Sequence, residues 1–374
     1  MQETCVQDAS QVEDQLDEEK LLTSFLPWLI GKVRPRSRKD RAAKPKSLYA
    51  HVLAVRAIHR RRFRIEMVRP INMGQVLKSI VVHFCKIHGP EALIPRRKEP
   101  ATVVLLSKIL AIPDTTRLGQ TILDWHSALG VSLRAMLCTA FSGGFRKSEL
   151  ALPAGAEFDR MRISRASLKW RINGVLISAP TPAQLDSLSA GDYAIVIPPP
   201  SKADPFGVFF GGRPIYFPYV ANSSINAATA LAQLERVLPV ASELRAKTPL
   251  FVMGSTMQPM TASRADTLLA HLVRLVVPEN QRCFYSWHSF RIGLACALLA
   301  QGAAPELIQA LCRWKSKESL IVYARLNPES YGAWILKAQT ADVTSISSTN
   351  LPQFDDDVHS SVLQQLADWD GLND

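Results

Sequence analysis

Residues 288–326, HSFRIGLACALLAQGAAPELIQALCRWKSKESLIVYARL, constrain the fold more tightly than any other part of the chain. An apolar helical run over 292–300 stops at Gly302, a residue suited to the left-handed C-cap position. Pro305 then opens a second helix at its favoured first position, and Trp314 ends it. Ser316 can cap a third helix, with Glu318 and Ser319 in its first turn. That helix carries Tyr323 among Leu320, Ile321, Val322 and Leu326. At the head of the stretch, His288 and Arg291 stand three residues apart, so they share a helix face and can direct two donors at one phosphate.

The rest of the chain is read the same way. Residues 1–47 form an arm: an acidic, disordered start to about residue 20, the short apolar patch LLTSFLPWLI, then a basic run over 32–46 with Asp40 its one acid. Helical spacing of Leu48, Val52, Val55 and Ile58, and again of Val76, Ile80, Val81 and Phe84, predicts a helical domain over 48–92. It includes the cluster His59-Arg60-Arg61-Arg62-Phe63-Arg64. Pro90, Pro95 and Pro100 mark a linker over 93–100. Residues 101–340 begin helical, pass through strand-like runs at 158–170 and 193–198 with a loop insertion over 180–191, and fit a hairpin over 206–219 whose second strand is 214–218. An acidic tail over 341–374 ends with Val362, Leu363, Leu366 and Trp369 at helix-like spacing. The predicted fold class is mainly α with a small antiparallel β-sheet (α+β).

A net charge of +11 over 374 residues favours an anionic partner, with nucleic acid first and a membrane surface second. The six cysteines include no CxxC pair and no His at zinc-ligand spacing, which points to a reducing compartment without disulfides or structural metal. The acidic N-terminus is unlike a signal peptide, and no apolar run reaches membrane-spanning length. A soluble intracellular protein is expected.

Upstream of the C-terminal stretch stands LCTAFSGGFRKSELALP, an apolar helix leading into Gly-hydrophobic-Arg-x-x-Glu-Leu. Together, the two segments resemble the boxes of the tyrosine recombinase (phage integrase) family, and within it the crypton-like members from eukaryotic mobile elements. The resemblance covers about residues 100–335 and extends weakly to 48–90. It implies a helical core-binding (DNA-clamp) domain over 48–92 and a recombinase catalytic domain over 101–340. The family pattern falls on Arg146, His288, Arg291, Trp314 and Tyr323, with Glu149 as the acidic residue after the first Arg. The family also has a Lys on a β-hairpin between the boxes. Lys202, in IPPPSKADPFG, and Lys169, in SLKWRING, both qualify. Lys202 is preferred, because Ser-Lys-x-Asp before a hairpin is similar to the mobile-element members. Two departures stand out: Trp314 replaces the commoner His, and Arg313 replaces the Gly that usually precedes it.

The resemblance implies cleavage and rejoining of DNA through a 3′-phosphotyrosyl intermediate, as in site-specific recombination or integration of a mobile element. Arg146 and Arg291 clamp the non-bridging oxygens. Tyr323 is the nucleophile, His288 the base or proton relay, Lys202 the general acid, and Trp314 supports the tyrosine helix. No cofactor or metal is implied. The expected partners are double-stranded DNA and three further copies, in a homotetramer on two DNA sites. Arg60, Arg61, Arg62, Arg64 and Arg264 are the expected DNA contacts. A type IB topoisomerase-like relaxation activity and a non-catalytic DNA-binding derivative of a recombinase stay open as alternatives. In a eukaryotic host the protein would be nuclear.

Overall fold

The computed structural model describes residues 9–34, 42–64, 72–93, 98–159, 161–200, 213–313 and 328–342. These residues divide between Leu93 and Lys98 into two units.

In the first unit, three helices, α1 (Ala9–Trp28), α2 (Pro45–Phe63) and α3 (Met73–His88), share one core. Leu22 and Leu26, one turn apart in the first helix, and Leu29 just past its end continue one apolar stripe. They pack with Leu48, Tyr49 and Val52 of α2 and Met73, Leu77 and Ile80 of α3. The expected disorder to about residue 20 does not hold from Ala9 on: the chain is helical over Ala9–Trp28, with Pro27 in the last turn. Acidic composition alone misleads. Glu19 is anchored, its Oε1 accepting the backbone N–H of Asn72 at the start of α3, 2.7 Å away. That contact satisfies one of the amide groups a helix start leaves unpaired.

The second unit is built on α5 (Ala128–Ser142), which is buried along most of its circumference. Ser127 caps it by accepting the backbone N–H of Gly130. Around it stand α4 (Val103–Leu110), α6 (Lys147–Leu150), α8 (Ala227–Val237), α9 (Ala262–Val276), α10 (Trp287–Ala300), α11 (Pro305–Leu311) and α12 (Pro328–Gln339). Of these, α8 and α10 lie against α5, and α12 lies against α10. A two-stranded ribbon pairs β1 (Arg117–Leu118) with β2 (Thr121–Ile122). A four-stranded antiparallel sheet contains β3 (Leu168–Ile172), β4 (Val175–Ile177), β5 (Tyr193–Val196) and β6 (Ile215–Pro218) in the order β4-β3-β5-β6. Leu168, Trp170 and Ile172 alternate with Lys169 and Arg171, so one face of β3 enters the core while the other stays partly open. The fold class is therefore mainly α with small antiparallel sheets. Within the 180–191 stretch, read as a loop, the structure has a short helix, α7 (Pro182–Asp186), capped by Thr181.

A buried ion triad braces this unit. Glu235 of α8 lies 3.0 Å from Arg165 and 2.7 Å from Arg245, with all three residues inside the core. Burial pushes the Arg165 guanidinium below its usual value, and Glu235 opposes that shift. Among the described residues, no helix is long and apolar enough to cross a membrane.

Candidate functional site

The site begins where α5 ends. Gly143 and Gly144 turn the chain, Gly144 at φ +54, and deliver Arg146 to the N-cap of α6. The Arg146 backbone N–H donates to Glu149 Oε2 at 2.8 Å, and Arg146 Nη1 lies 3.6 Å from Glu149 Oε1. The Glu at the third position of the helix thus ties the backbone of the residue that launches it.

Arg291 reaches the same turn from α10. That helix approaches the chain so closely that a Cβ on Gly293 would lie 2.1 Å from the carbonyl oxygen of Ala101. Arg291 is 1% exposed and donates from Nη1 to the Gly144 carbonyl at 2.5 Å and from Nη2 to the Arg313 carbonyl at 3.3 Å. Two of the five donors of a guanidinium are thereby fixed, and the side chain with them. His288 occupies the first turn of α10 and is exposed between the buried Trp287 and Ser289. The structure therefore bonds the Arg291 side chain to the turn that leads into Arg146, with His288 on the helix of Arg291.

Gly302 has φ +78 where α10 ends, and Pro305 takes the first position of α11. After α11 comes Arg313, a residue whose role the sequence reading missed. It has φ +54 and is 4% exposed. Its guanidinium lies 4.3 Å from the Phe145 ring centroid, and its Nη2 donates to Glu149 Oε2 at 3.0 Å and to the Gly143 carbonyl at 3.4 Å. An arginine where a left-handed turn calls for glycine was the available signal.

Lys202, Trp314 and Tyr323 lie outside the described residues. The alternative lysine, Lys169, sits in β3 opposite Ile195 and is partly buried. Two other tyrosines are placed by the structure. Tyr331 is in the core, its ring 5.9 Å from that of Tyr216. Partial burial and, secondarily, the Glu99 carboxylate raise the Tyr285 phenol above its usual range, which makes it harder to ionise.

Arg60, Arg61 and Arg62 fill the last turn of α2 and Arg64 caps it at φ +62; all four are exposed. Cations there also complement the helix dipole. Arg264, in the first turn of α9, is partly buried and donates from Nη2 to Thr121 Oγ1 at 2.5 Å, which bonds α9 to the β1–β2 ribbon. Next to α6, Glu149, Phe158, Met161, Pro199, Pro200 and Met260 help to line a small recess.

No family model and no curated protein matches the sequence. Among solved structures, the chain is similar to an integrase from mycobacterium phage Brujita, at 13% identity and a TM-score of 0.35, with 93% of each chain covered.

Proposed function

We propose that this protein cuts and rejoins DNA by transesterification, with Tyr323 as the nucleophile, in site-specific recombination or integration of a mobile element. The observation that carries the reading is the bond from Arg291 to the Gly144 carbonyl, two residues before Arg146 in the chain, with His288 one helical turn before Arg291. Two guanidiniums so anchored suit the non-bridging oxygens of a phosphodiester, where charge accumulates in the transition state.

The Tyr323 phenol loses its proton to His288 and attacks phosphorus. The bond from phosphorus to the 5′ oxygen breaks, and that oxygen takes a proton from Lys202. A 3′-phosphotyrosyl link remains. The 5′ hydroxyl of an incoming strand reverses the step, so the phosphodiester energy is conserved. Trp314 packs against or donates its indole N–H to the tyrosine segment. Arg60, Arg61, Arg62 and Arg64 contact the DNA backbone, and Arg264 supports the catalytic unit's DNA face. Residues 48–92 act as the DNA clamp and 101–340 as the catalytic domain. The active unit is a homotetramer on two duplexes, assembled through head-to-tail contacts.

A nicked suicide duplex tests the reading. The wild-type protein should form a covalent adduct that survives denaturation, and Tyr323→Phe should form none while binding DNA within about twofold of wild type. Tyr285→Phe and Tyr331→Phe should both retain the adduct. Adducts formed by Tyr323→Phe, or lost in Tyr285→Phe, would remove Tyr323 from its role.

A further inference from the structure

Arg313 stands at a backbone position that a glycine would adopt without strain, at φ +54, yet it carries the largest cationic side chain. That side chain does not escape to solvent. It turns inward over Phe145 and ends on Glu149. A buried guanidinium and a buried carboxylate each lose hydration, which is tolerated only when the two are paired and hydrogen-bonded. The chain therefore accepts a strained backbone and two buried charges at one place, between the two arginines of the candidate site.

We infer that Arg313 is a positioning residue for Arg146 and Arg291, acting through its buried ion pair with Glu149; the inference rests on the DNA-cleavage reading above. Its side chain works on Arg146. Glu149 Oε2 accepts both the Arg146 backbone N–H, at 2.8 Å, and Arg313 Nη2, at 3.0 Å, whereas Arg146 Nη1 stands 3.6 Å from Oε1. With Arg313 as the closer counter-ion, the Glu149 charge is balanced mainly by Arg313, so its pull on the position of the Arg146 guanidinium is set by that pair. Its backbone works on Arg291, through the 3.3 Å bond from Arg291 Nη2 to the Arg313 carbonyl. One residue thus sets both guanidiniums, one through a carboxylate and the other through a carbonyl.

The test uses the full-length protein and three variants: Arg313→Met, the double Arg313→Met with Glu149→Gln, and Arg313→Lys. Arg313→Met strands a buried carboxylate and should melt well below wild type. The double variant removes both charges and should regain most of the melting temperature. It should bind DNA within about threefold of wild type, yet cleave the suicide duplex roughly 100-fold more slowly, the loss typical of misplaced catalytic groups. Arg313→Lys should melt near wild type and cleave at an intermediate rate. Wild-type cleavage by the double variant makes the pair structural only and overturns the inference. If the double variant melts below the assay temperature, Arg313→Lys decides alone: wild-type cleavage overturns the inference. A wild-type protein that forms no adduct refutes the cleavage reading, and the inference is then judged on inorganic phosphate. Phosphate should shift the Nε–Hε resonances of both Arg146 and Arg291 in the wild type and neither in a folded double variant. No shift in the wild type, or the same shifts in the variant, overturns it.

Discussion

Arg291 Nη1 donates to the carbonyl oxygen of Gly144 at 2.5 Å, so a side chain of α10 is locked onto the turn that presents Arg146, across 147 residues of sequence. The geometry of the two arginines is therefore one property, set by a glycine that contributes no side chain. Gly144 has φ +54, and a Cβ there would lie 3.3 Å from Leu294 Cδ2 and 3.6 Å from Cys312 Cα. Gly144→Ala combines left-handed strain of roughly 1–2 kcal/mol with a crowded neighbour. It should lower the melting temperature by several degrees and slow adduct formation by more than the stability loss explains, because the turn moves both guanidiniums. A variant with unchanged melting and unchanged cleavage would show that the turn tolerates a side chain and does not set the site.

The helix punctuation around the candidate site was legible because its devices are local, while Lys202, Trp314 and Tyr323 lie outside the described residues. Gly302 and Pro305 punctuate α10 and α11 where their backbone preferences predict, and His288 and Arg291 share a helix because three residues separate them. Strands β5 and β6 fall where 193–198 and 214–218 read as strand-like, and they pair with each other, whereas the first half of the expected 206–219 hairpin lies outside the described residues. What was not legible depends on distant partners. The acidic start of the chain read as disorder because composition does not reveal that Leu22, Leu26 and Leu29 find a core, or that Glu19 finds the start of α3. Arg313 read as a departure from a pattern, since nothing local says that a carboxylate 164 residues earlier receives it. The triad of Arg165, Glu235 and Arg245 left no signal either, because isolated charges look alike in sequence whether buried or solvated.

The choice between the two lysines has a chemical test. A general acid is needed because the departing 5′ oxygen is a poor leaving group until protonated, whereas sulfur leaves without a proton. Lys202→Ala should therefore slow cleavage of ordinary DNA by 10²-fold or more, on the order of general acid catalysis, and a 5′-bridging phosphorothiolate should restore the rate. Lys169→Ala should cleave ordinary DNA at close to the wild-type rate. Rescue of Lys169→Ala in place of Lys202→Ala would exchange their roles.

DNA binding should be strongly salt-dependent, with each phosphate contact contributing a slope of about 0.9 in log K against log salt. Replacing Arg60, Arg61 and Arg62 together with Ala should reduce that slope by roughly one to three, since all three side chains are exposed on the last turn of α2 and none is required by the core. Truncating the first 46 residues is the wrong experiment, because it would remove Leu22, Leu26 and Leu29 from the core of the first unit. The basic run is better probed by neutralising Arg36, Arg38, Lys39 and Arg41 in the intact chain. A slope unchanged in both variants would place the DNA contacts elsewhere.

Alkaline pH should expose a different feature of the second unit. Cys138, in α5, and Cys296, in α10, are fully buried, and burial pushes each thiol from the ordinary 9.0 up to about 12. Between those values the folded protein keeps protons that the unfolded chain releases. The folded state then binds more protons than the unfolded state, so stability falls as pH rises from about 9, by about 1.4 kcal/mol per pH unit for each thiol. Tyr285, whose phenol is also raised, adds to the loss at higher pH. Urea midpoints measured from pH 8 to 10.5 should drop steeply in the wild type and less steeply in Cys138→Ala and Cys296→Ala, the comparison cancelling groups common to all three. In the same window a thiol reagent should label the exposed Cys283 rapidly and leave Cys138 and Cys296 unmodified until urea unfolds the chain. Equal slopes in wild type and variants, together with fast labelling of Cys296, would mean that α10 opens to solvent in the native state and is not the rigid carrier of Arg291 that the site requires.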